Sequence, residues 1–347
     1  MPCPDPPPHF DDADSMNAVD RAAATLPPDY VTRLRADFDG HAGLADRLLA
    51  ATAVEVPRGL RINTLRGEVE DTIAELAKDE LAGAPVPWAA WARVVSPATA
   101  RRVTETDAWR DGRVVLQSLS SMLAVIALDP KPGERTLDLC AAPGGKTALI
   151  AALADGRLDL HANDRSRRRC LRMRALLDTL GATARIRTGP GERLPARDLG
   201  TFDRVLVDAP CSGEGRFRVD DDQSHATWSK KVVRRLASLQ KSLLHAAIAA
   251  VRPGGVIVYS TCTLGREENE AVIARALQRF GDGPTGIELD AVTPSIPSGL
   301  PLLGDPDGLD ATAMRRLGPD PEGGPVAAAT EGFFLTRLRR RGGEPVA

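Results

Sequence analysis

The 347-residue chain is poor in the features that mark several large protein classes. It has no C-x-x-C pair, and its 5 histidines do not gather at ligand spacing, so no metal site is expected. The cysteines (Cys3, Cys140, Cys170, Cys211, Cys262) are odd in number and far apart. That pattern excludes a disulfide scaffold and suits a reducing compartment, so a cytoplasmic location is expected. No apolar run approaches the ~18 residues of a membrane helix. No basic stretch leading into an apolar one opens the chain, so neither a span nor a secretory signal is expected. Aromatics are only 4% of residues, which makes Trp88, Trp91 and Trp109 core anchors before they are base-stacking platforms. A net charge of −2 excludes a global basic field, so any nucleic-acid partner must be met by local patches.

What remains is an ordinary globular chain, 43% hydrophobic and 27% charged, long enough for two domains. Residues 1–25 open on a proline-rich, aspartate-rich stretch and read as a disordered tail. Residues 26–112 read as a small α+β domain. Tyr30–Phe38 and Leu44–Ala53 look helical, Gly59–Thr64 is a short strand, and Val69, Ile73, Leu76 and Ala77 recur at helical spacing. Residues 113–341 alternate. Strands are expected at Thr136–Cys140, Leu158–Asn163, Ala184–Thr188, Arg204–Asp208 and Val256–Thr261. Helices follow at Lys146–Ala154, Ser166–Leu180, Ser229–Val251 and Arg266–Phe280, with a last strand at Glu331–Thr336. Such alternation argues a parallel sheet covered on both faces. Pro294–Gly324, rich in proline and glycine, reads as a long loop. Two arginine patches, Arg165–Arg174 and Arg337–Arg341, are solvated faces on the plain reading and phosphate contacts on the sharper one.

The stretch Thr136–Thr147, T-L-D-L-C-A-A-P-G-G-K-T, organises the chain. An apolar strand ends in a glycine turn that opens a helix, where backbone N–H groups meet a ligand closely. A second strand ends at Asp164, where a nucleotide's ribose hydroxyls are usually held. The turn lacks the dinucleotide string G-x-G-x-x-G. Gly145-Lys146-Thr147 is close to a phosphate-binding loop, although Cys140 stands where its first glycine belongs. A methyltransferase using S-adenosylmethionine (AdoMet) fits as well, and this strand alone does not choose between those two. Two further strand ends carry thiols: Asp208-Ala-Pro-Cys211-Ser-Gly213 and Ser260-Thr-Cys262-Thr263. Ligands of open α/β sheets bind beyond such ends. If the strands are neighbours, a carboxyl and two thiols converge there.

The strings L-C-A-A-P-G-G-K-T, D-A-P-C-S-G and Y-S-T-C-T together resemble the RNA (cytosine-5) methyltransferases of the RsmB/NOL1/NOP2/Sun family. Gly59–Thr64, Gln117–Met122 and Glu331–Phe334 resemble that family's flanking segments, and Ser212-Gly-Glu-Gly215 resembles its bacterial 16S ribosomal RNA branch. The resemblance covers about residues 58–340. It implies a Rossmann-like AdoMet-dependent methyltransferase fold, with a seven-stranded, mostly parallel sheet and a smaller N-terminal RNA-binding domain. It implies Cys262 as the nucleophile that adds to cytosine carbon 6, Cys211 as the thiol that assists release, and Asp208 at ring nitrogen 3. It gives Cys140, Ala141, Ala142, Pro143, Gly144, Gly145 and Lys146 to the methionine end of S-adenosyl-L-methionine, Asp164 to the ribose, and Asp208 to the methyl-proximal region. The family's acid after the third strand has no clear match, with Gly189-Pro-Gly-Glu192 in its place. The expected partner is RNA, ribosomal in the first instance and transfer RNA as the alternative, met by a monomer with no membrane or metal. A phosphate-loop nucleotidase, a non-catalytic ribosome-assembly factor and a DNA cytosine-5 enzyme using Cys211 as nucleophile are the competing readings.

Overall fold

The computed structural model describes residues 12–41, 43–283, 286–292, 313–319 and 324–342. Three helices come first: α1 (Asp12–Thr25), α2 (Pro28–Asp37) and α3 (Leu44–Thr52). The expected disordered tail is thus helical from Asp12, and residues 1–11 lie outside the described residues. The reason is packing that composition hides. Ala22 is buried in one apolar cluster with Leu26, Tyr30, Leu34, Phe38 and Leu48. Phe217 and Leu264, from far along the chain, complete that cluster.

A four-stranded antiparallel sheet follows, built from β1 (Arg58–Ile62), β2 (Ala84–Val86), β3 (Ala89–Val95) and β4 (Val114–Leu116) in the order β2-β3-β1-β4. Helices α4 (Val69–Ala77), α5 (Pro97–Val103) and α6 (Asp107–Arg110) belong with it. Leu60, Ile62, Leu76, Val95 and Val103 form its core. The sheet includes β4, so it runs past the boundary expected at residue 112, and α1–α3 pack elsewhere. The region expected as one α+β domain is therefore a helical unit and a sheet unit with separate cores. Trp88, Trp91 and Trp109 are partly buried against apolar clusters, as anchors.

After α7 (Leu119–Leu128) the main sheet begins: β5 (Arg135–Asp138), α8 (Gly145–Leu153), β6 (Asp159–Asp164), α9 (Arg167–Leu180), β7 (Arg185–Thr188), β8 (Phe202–Asp208), α10 (Lys230–Ala250), β9 (Val251–Thr261), α11 (Glu270–Phe280), β10 (Ile287–Leu289), β11 (Met314–Leu317), the short helix α12 (Pro325–Ala328) and β12 (Phe333–Arg340). The order is β10-β12-β9-β8-β5-β6-β7, with β11 also on β12. Strands β5 to β9 are parallel and β12 runs antiparallel to β9. Because β10 and β11 share one edge of β12, the sheet is seven strands wide, as the resemblance implied. Strand β11 lies inside the stretch expected as a loop, and residues 294–312 and 320–323 of that stretch lie outside the described residues.

Both faces of the sheet are covered, which explains the near-continuous apolar runs. Leu206 and Val258 pack with α7, α8 and α9 residues on one face. Their neighbours Val205, Val207, Ile257 and Tyr259 pack with α10 and α11 on the other. Serine side chains cap four helices: Ser96 accepts from the Thr99 N–H, Ser118 from Ser121, Ser166 from Arg169 and Ser229 from Val232. Each such cap contributes about 1 kcal/mol. No helix among the described residues is long and apolar enough to cross a membrane.

Asn63, fully buried after β1, joins the small sheet to the large one. Its amide donates to the Gly112 carbonyl at 2.8 Å and to the Leu180 carbonyl at the end of α9 at 2.9 Å. Asn63→Ala leaves both carbonyls buried without that donor, and we expect a loss of about 1–3 kcal/mol in urea unfolding. An unchanged midpoint would show that the two sheets do not depend on this link.

Candidate active site

The parallel register brings the reactive residues to one edge. Asp138 lies beside Leu206, and Asp208 beside Ser260. The turns beyond β5, β6, β8 and β9 therefore surround one cavity of about 570 Å³. Its wall carries Cys140, Ala141, Ala142, Pro143, Gly145 and Lys146 from the glycine turn, Asp164 after β6, Asp208 and Cys211 after β8, and Cys262 after β9. Gly144 is not on the wall. It caps α8 at φ +112°, and a Cβ there would stand 2.9 Å from Met173 Cγ. Its part is to let the turn fold against α9, leaving the first N–H groups of α8 uncovered by a side-chain cap.

Asp208 is held from the first turn of α8 and from β9. Lys146 Nζ donates to it at 2.7 Å and Ser260 Oγ at 2.9 Å. Burial acts to lower the Lys146 pKa, but Asp208 outweighs it and the ammonium is held above its ordinary range. The sequence assigns Lys146 to the cofactor turn and gives no hint of this pair, which spans 62 positions. Asp164 is buried and already engaged: the Ser166 N–H reaches it at 2.9 Å and Arg169 Nη1 at 3.1 Å. Each carboxylate oxygen keeps a second lone pair for a ligand hydroxyl. Glu192 also lines the cavity, and Asn163 braces that side by donating to the Leu139 and Gly189 carbonyls.

The two thiols meet. Cys211 Sγ and Cys262 Sγ are 3.1 Å apart, and the Cys262 N–H points to Cys211 Sγ at 3.3 Å. They differ in acidity. The hydrogen bond from Cys211 lowers the Cys262 pKa against the effect of burial, and the Arg216 guanidinium lowers it further. The same hydrogen bond, together with burial, pushes the Cys211 thiol well up. The cation that acts on the thiol is Arg216, on the cavity wall. Cys140 is pushed up by burial, in keeping with a backbone role. Cys170 is buried between α9 and the Asp164 carbonyl, away from the pair.

Arg216 and Asp138 were not singled out from sequence. Asp138 ends β5 and accepts from Thr147 Oγ1 at 2.7 Å through Oδ2, while Oδ1 is buried with no partner. Its position as the acid closing a strand before a glycine turn was the available signal. Glu268 braces the Cys211 loop from behind, taking the Ser212 N–H at 3.0 Å and Gln240 Nε2 at 2.8 Å.

Burial raises Asp138 and Glu268 to about 7 each. A raised carboxyl keeps its proton in the folded chain after the unfolded chain has lost it. Stability should therefore fall as pH rises from about 4 to 7. Asp138→Asn, which can still accept from Thr147, should flatten part of that slope in urea titrations. A slope identical to the parent's would mean that Asp138 ionises normally.

Comparison with known proteins adds the family. A family model described as 16S rRNA methyltransferase RsmB/F matches residues 125–292. Ribosomal RNA small subunit methyltransferase F of Klebsiella pneumoniae is 34% identical over 322 residues, and that of Aeromonas salmonicida 33% over 330. These alignments take in 91% and 92% of this chain but only 64% and 65% of the relatives' own length. A methyltransferase homologue from Pyrococcus horikoshii superposes with TM-score 0.76 at 30% identity, covering 93% of this chain and 99% of that one. NSun6 from Pyrococcus horikoshii shares the fold, with TM-score 0.74 at 22% identity, over 92% of this chain and 99% of its own. Fold, strand-end motifs and these likenesses agree, and the chain belongs to the RsmB/F family of methyltransferases.

Proposed function

We propose that this chain transfers a methyl group from AdoMet to carbon 5 of a cytosine in small-subunit ribosomal RNA, through a covalent bond between Cys262 and carbon 6. The observation that carries this reading is the pair of thiols 3.1 Å apart, with Asp208, on the wall of the cavity that the glycine turn opens. The ribosomal substrate is drawn from the relatives' names.

Cofactor fit rests on the chain's own atoms. Asp138 Oδ1 is an orphaned acceptor beside the turn, suited to an amino group, and the uncapped start of α8 suits a carboxylate. Asp164 and Glu192 offer acceptors for the nucleoside. AdoMet bound there supplies an electrophilic methyl group. Cytosine carbon 5 is too weak a nucleophile to take it unaided. Addition of the Cys262 thiolate to carbon 6 makes the ring an enamine whose carbon 5 is nucleophilic. Electron density moving onto ring nitrogen 3 calls for a proton there, and the Lys146 ammonium can pass one through the Asp208 carboxyl, which Ser260 also holds. Once carbon 5 carries the methyl group, its proton passes to water in the open cavity, the freed electron pair restores the carbon 5–carbon 6 double bond, and the carbon–sulfur bond breaks with Cys262 leaving as thiolate. Cys211, kept protonated, can return its hydrogen bond to the departing Cys262 sulfur. The nucleotidase reading is disfavoured because Lys146, the residue that would meet a phosphate, is neutralised by Asp208.

RNA contact is best supported on α9. Arg165, Arg167, Arg168, Arg172 and Arg174 are exposed, and among the described residues none has an ion-pair partner. Arg165 and Arg169 reach the cavity wall, which leads the patch to the site. The C-terminal patch differs. Arg337 and Arg339 bind Asp290, Arg341 binds Glu288, and Arg340 donates to the Val251 carbonyl. Those arginines pin the sheet edge.

Two outcomes follow. Cys262→Ala should abolish 5-methylcytosine formation, while Cys211→Ala should accumulate a covalent RNA adduct visible on denaturing gels. The reverse pattern would make Cys211 the nucleophile. Reversing Arg167, Arg168 and Arg172 to Glu should weaken RNA binding and reduce its salt slope by about 0.7 for each phosphate that is no longer neutralised. An unchanged slope would remove α9 from the interface.

A further inference from the structure

Glu214, three positions after Cys211, is buried in a place where an anion needs strong reasons to be. Its Oε1 receives Arg33 Nη2 at 2.5 Å and Trp228 Nε1 at 2.8 Å. Its Oε2 receives the N–H of Gly265, three positions after Cys262, at 3.0 Å. The next residue, Gly215, donates its own N–H to the Cys262 carbonyl at 3.1 Å. One carboxylate and one peptide thus tie the two cysteine loops together. Arg33 comes from α2, lies over the Trp228 ring at 5.6 Å and closes on Gly265, where a Cβ would stand 2.7 Å from Nη1. The apolar contacts repeat the pattern. Phe217, past the Cys211 loop, and Leu264, past Cys262, are both buried in the core of α1–α3, with Tyr30 edge-on to Phe217 at 5.0 Å.

We propose that Glu214, held by Arg33, is a positioning residue that sets the approach of the two sulfurs, so that α1–α3 form part of the catalytic apparatus. The inference rests on the reading of Cys262 as nucleophile given above. A buried ion pair is a poor device for stability alone, since a well-packed apolar substitute often does as well. It is a good device for fixing geometry when every oxygen is matched, as here. Burial presses Glu214 toward protonation, yet Arg33, Trp228 and the surrounding donors keep it below the ordinary range. The acidity of Cys262 depends first on its hydrogen bond from Cys211, and a thiol contact weakens quickly as loops drift apart. The other groups that face Cys262 are Asp208 after β8, Lys146 on α8, Arg216 beyond Glu214, and Glu331 before β12. None of these is altered by the variants below. Around Glu214 itself the charged groups are Arg33, with Asp37 and Glu267 beside it, and Glu268.

The test uses the full chain with Glu214→Gln, Arg33→Met and Arg33→Lys. Cys262 alkylation by iodoacetamide is followed against pH by peptide mass spectrometry, alongside AdoMet affinity, kcat and KM on RNA, and thermal unfolding. We expect Glu214→Gln and Arg33→Met to move the alkylation midpoint up by about one pH unit and to cut kcat about tenfold, the corresponding loss of thiolate near neutral pH. AdoMet affinity and KM should stay within about twofold, and Arg33→Lys should recover most of the loss. If Glu214→Gln does not fold, the two Arg33 variants decide. Folded variants with the parent's alkylation midpoint and kcat would overturn the proposal, as would losses confined to KM or AdoMet affinity. A shifted midpoint in a protein whose parent makes no 5-methylcytosine would uphold the positioning role and overturn the proposed reaction instead.

Discussion

The hydrogen-bond register that lays β5, β8 and β9 side by side, all pointing the same way, is the constraint on which the site depends. It stops three turns at one level, so that residues separated by more than a hundred positions become neighbours. Asp208 makes the arrangement rigid. It draws Lys146 from the turn after β5 and Ser260 from β9 onto a single carboxylate. Both faces of these strands are buried, so a slip of one residue would turn apolar side chains out of two cores at once.

Within that frame, low dielectric sorts chemically similar groups into different roles. Two thiols in contact cannot both ionise, and the contact itself favours the charge on Cys262 while Cys211 keeps its proton. Carboxyls divide in the same way. Asp138 and Glu268, without a cation in contact, are pushed up by burial. Glu214, with Arg33 at 2.5 Å, is held down in an equally dry place. Partner geometry, more than depth, decides which acids carry charge beside the site.

Much of this architecture was legible in the chain, for identifiable reasons. Strand ends were marked by glycine or proline after short apolar runs, and a serine stands directly before each of α7, α9 and α10. The strings around Cys140, Cys211 and Cys262 are local, so they could be read without knowing the fold, and the cavity gathers them. What was missed is non-local. The pairing of Lys146 with Asp208, the reach of Arg33 to Glu214 and the pressure of Arg216 on Cys262 join residues with no periodic relation. The helix from Asp12 was hidden by a proline-rich start, because its stability comes from Tyr30, Phe217 and Leu264 and not from its own composition. Strand β11 was hidden in a proline- and glycine-rich stretch because its partner, β12, comes later in the chain.

The proposed chemistry turns on which sulfur forms the bond to the pyrimidine. RNA carrying 5-fluorocytosine gives the most direct measurement, because fluorine at carbon 5 cannot leave as the proton does and the adduct is trapped. Incubated with AdoMet and the parent enzyme, then digested and sequenced by mass spectrometry, the modified peptide should be the one containing Cys262. An adduct on the Cys211 peptide, or none under conditions where unmodified RNA is methylated, would contradict the assignment of the nucleophile.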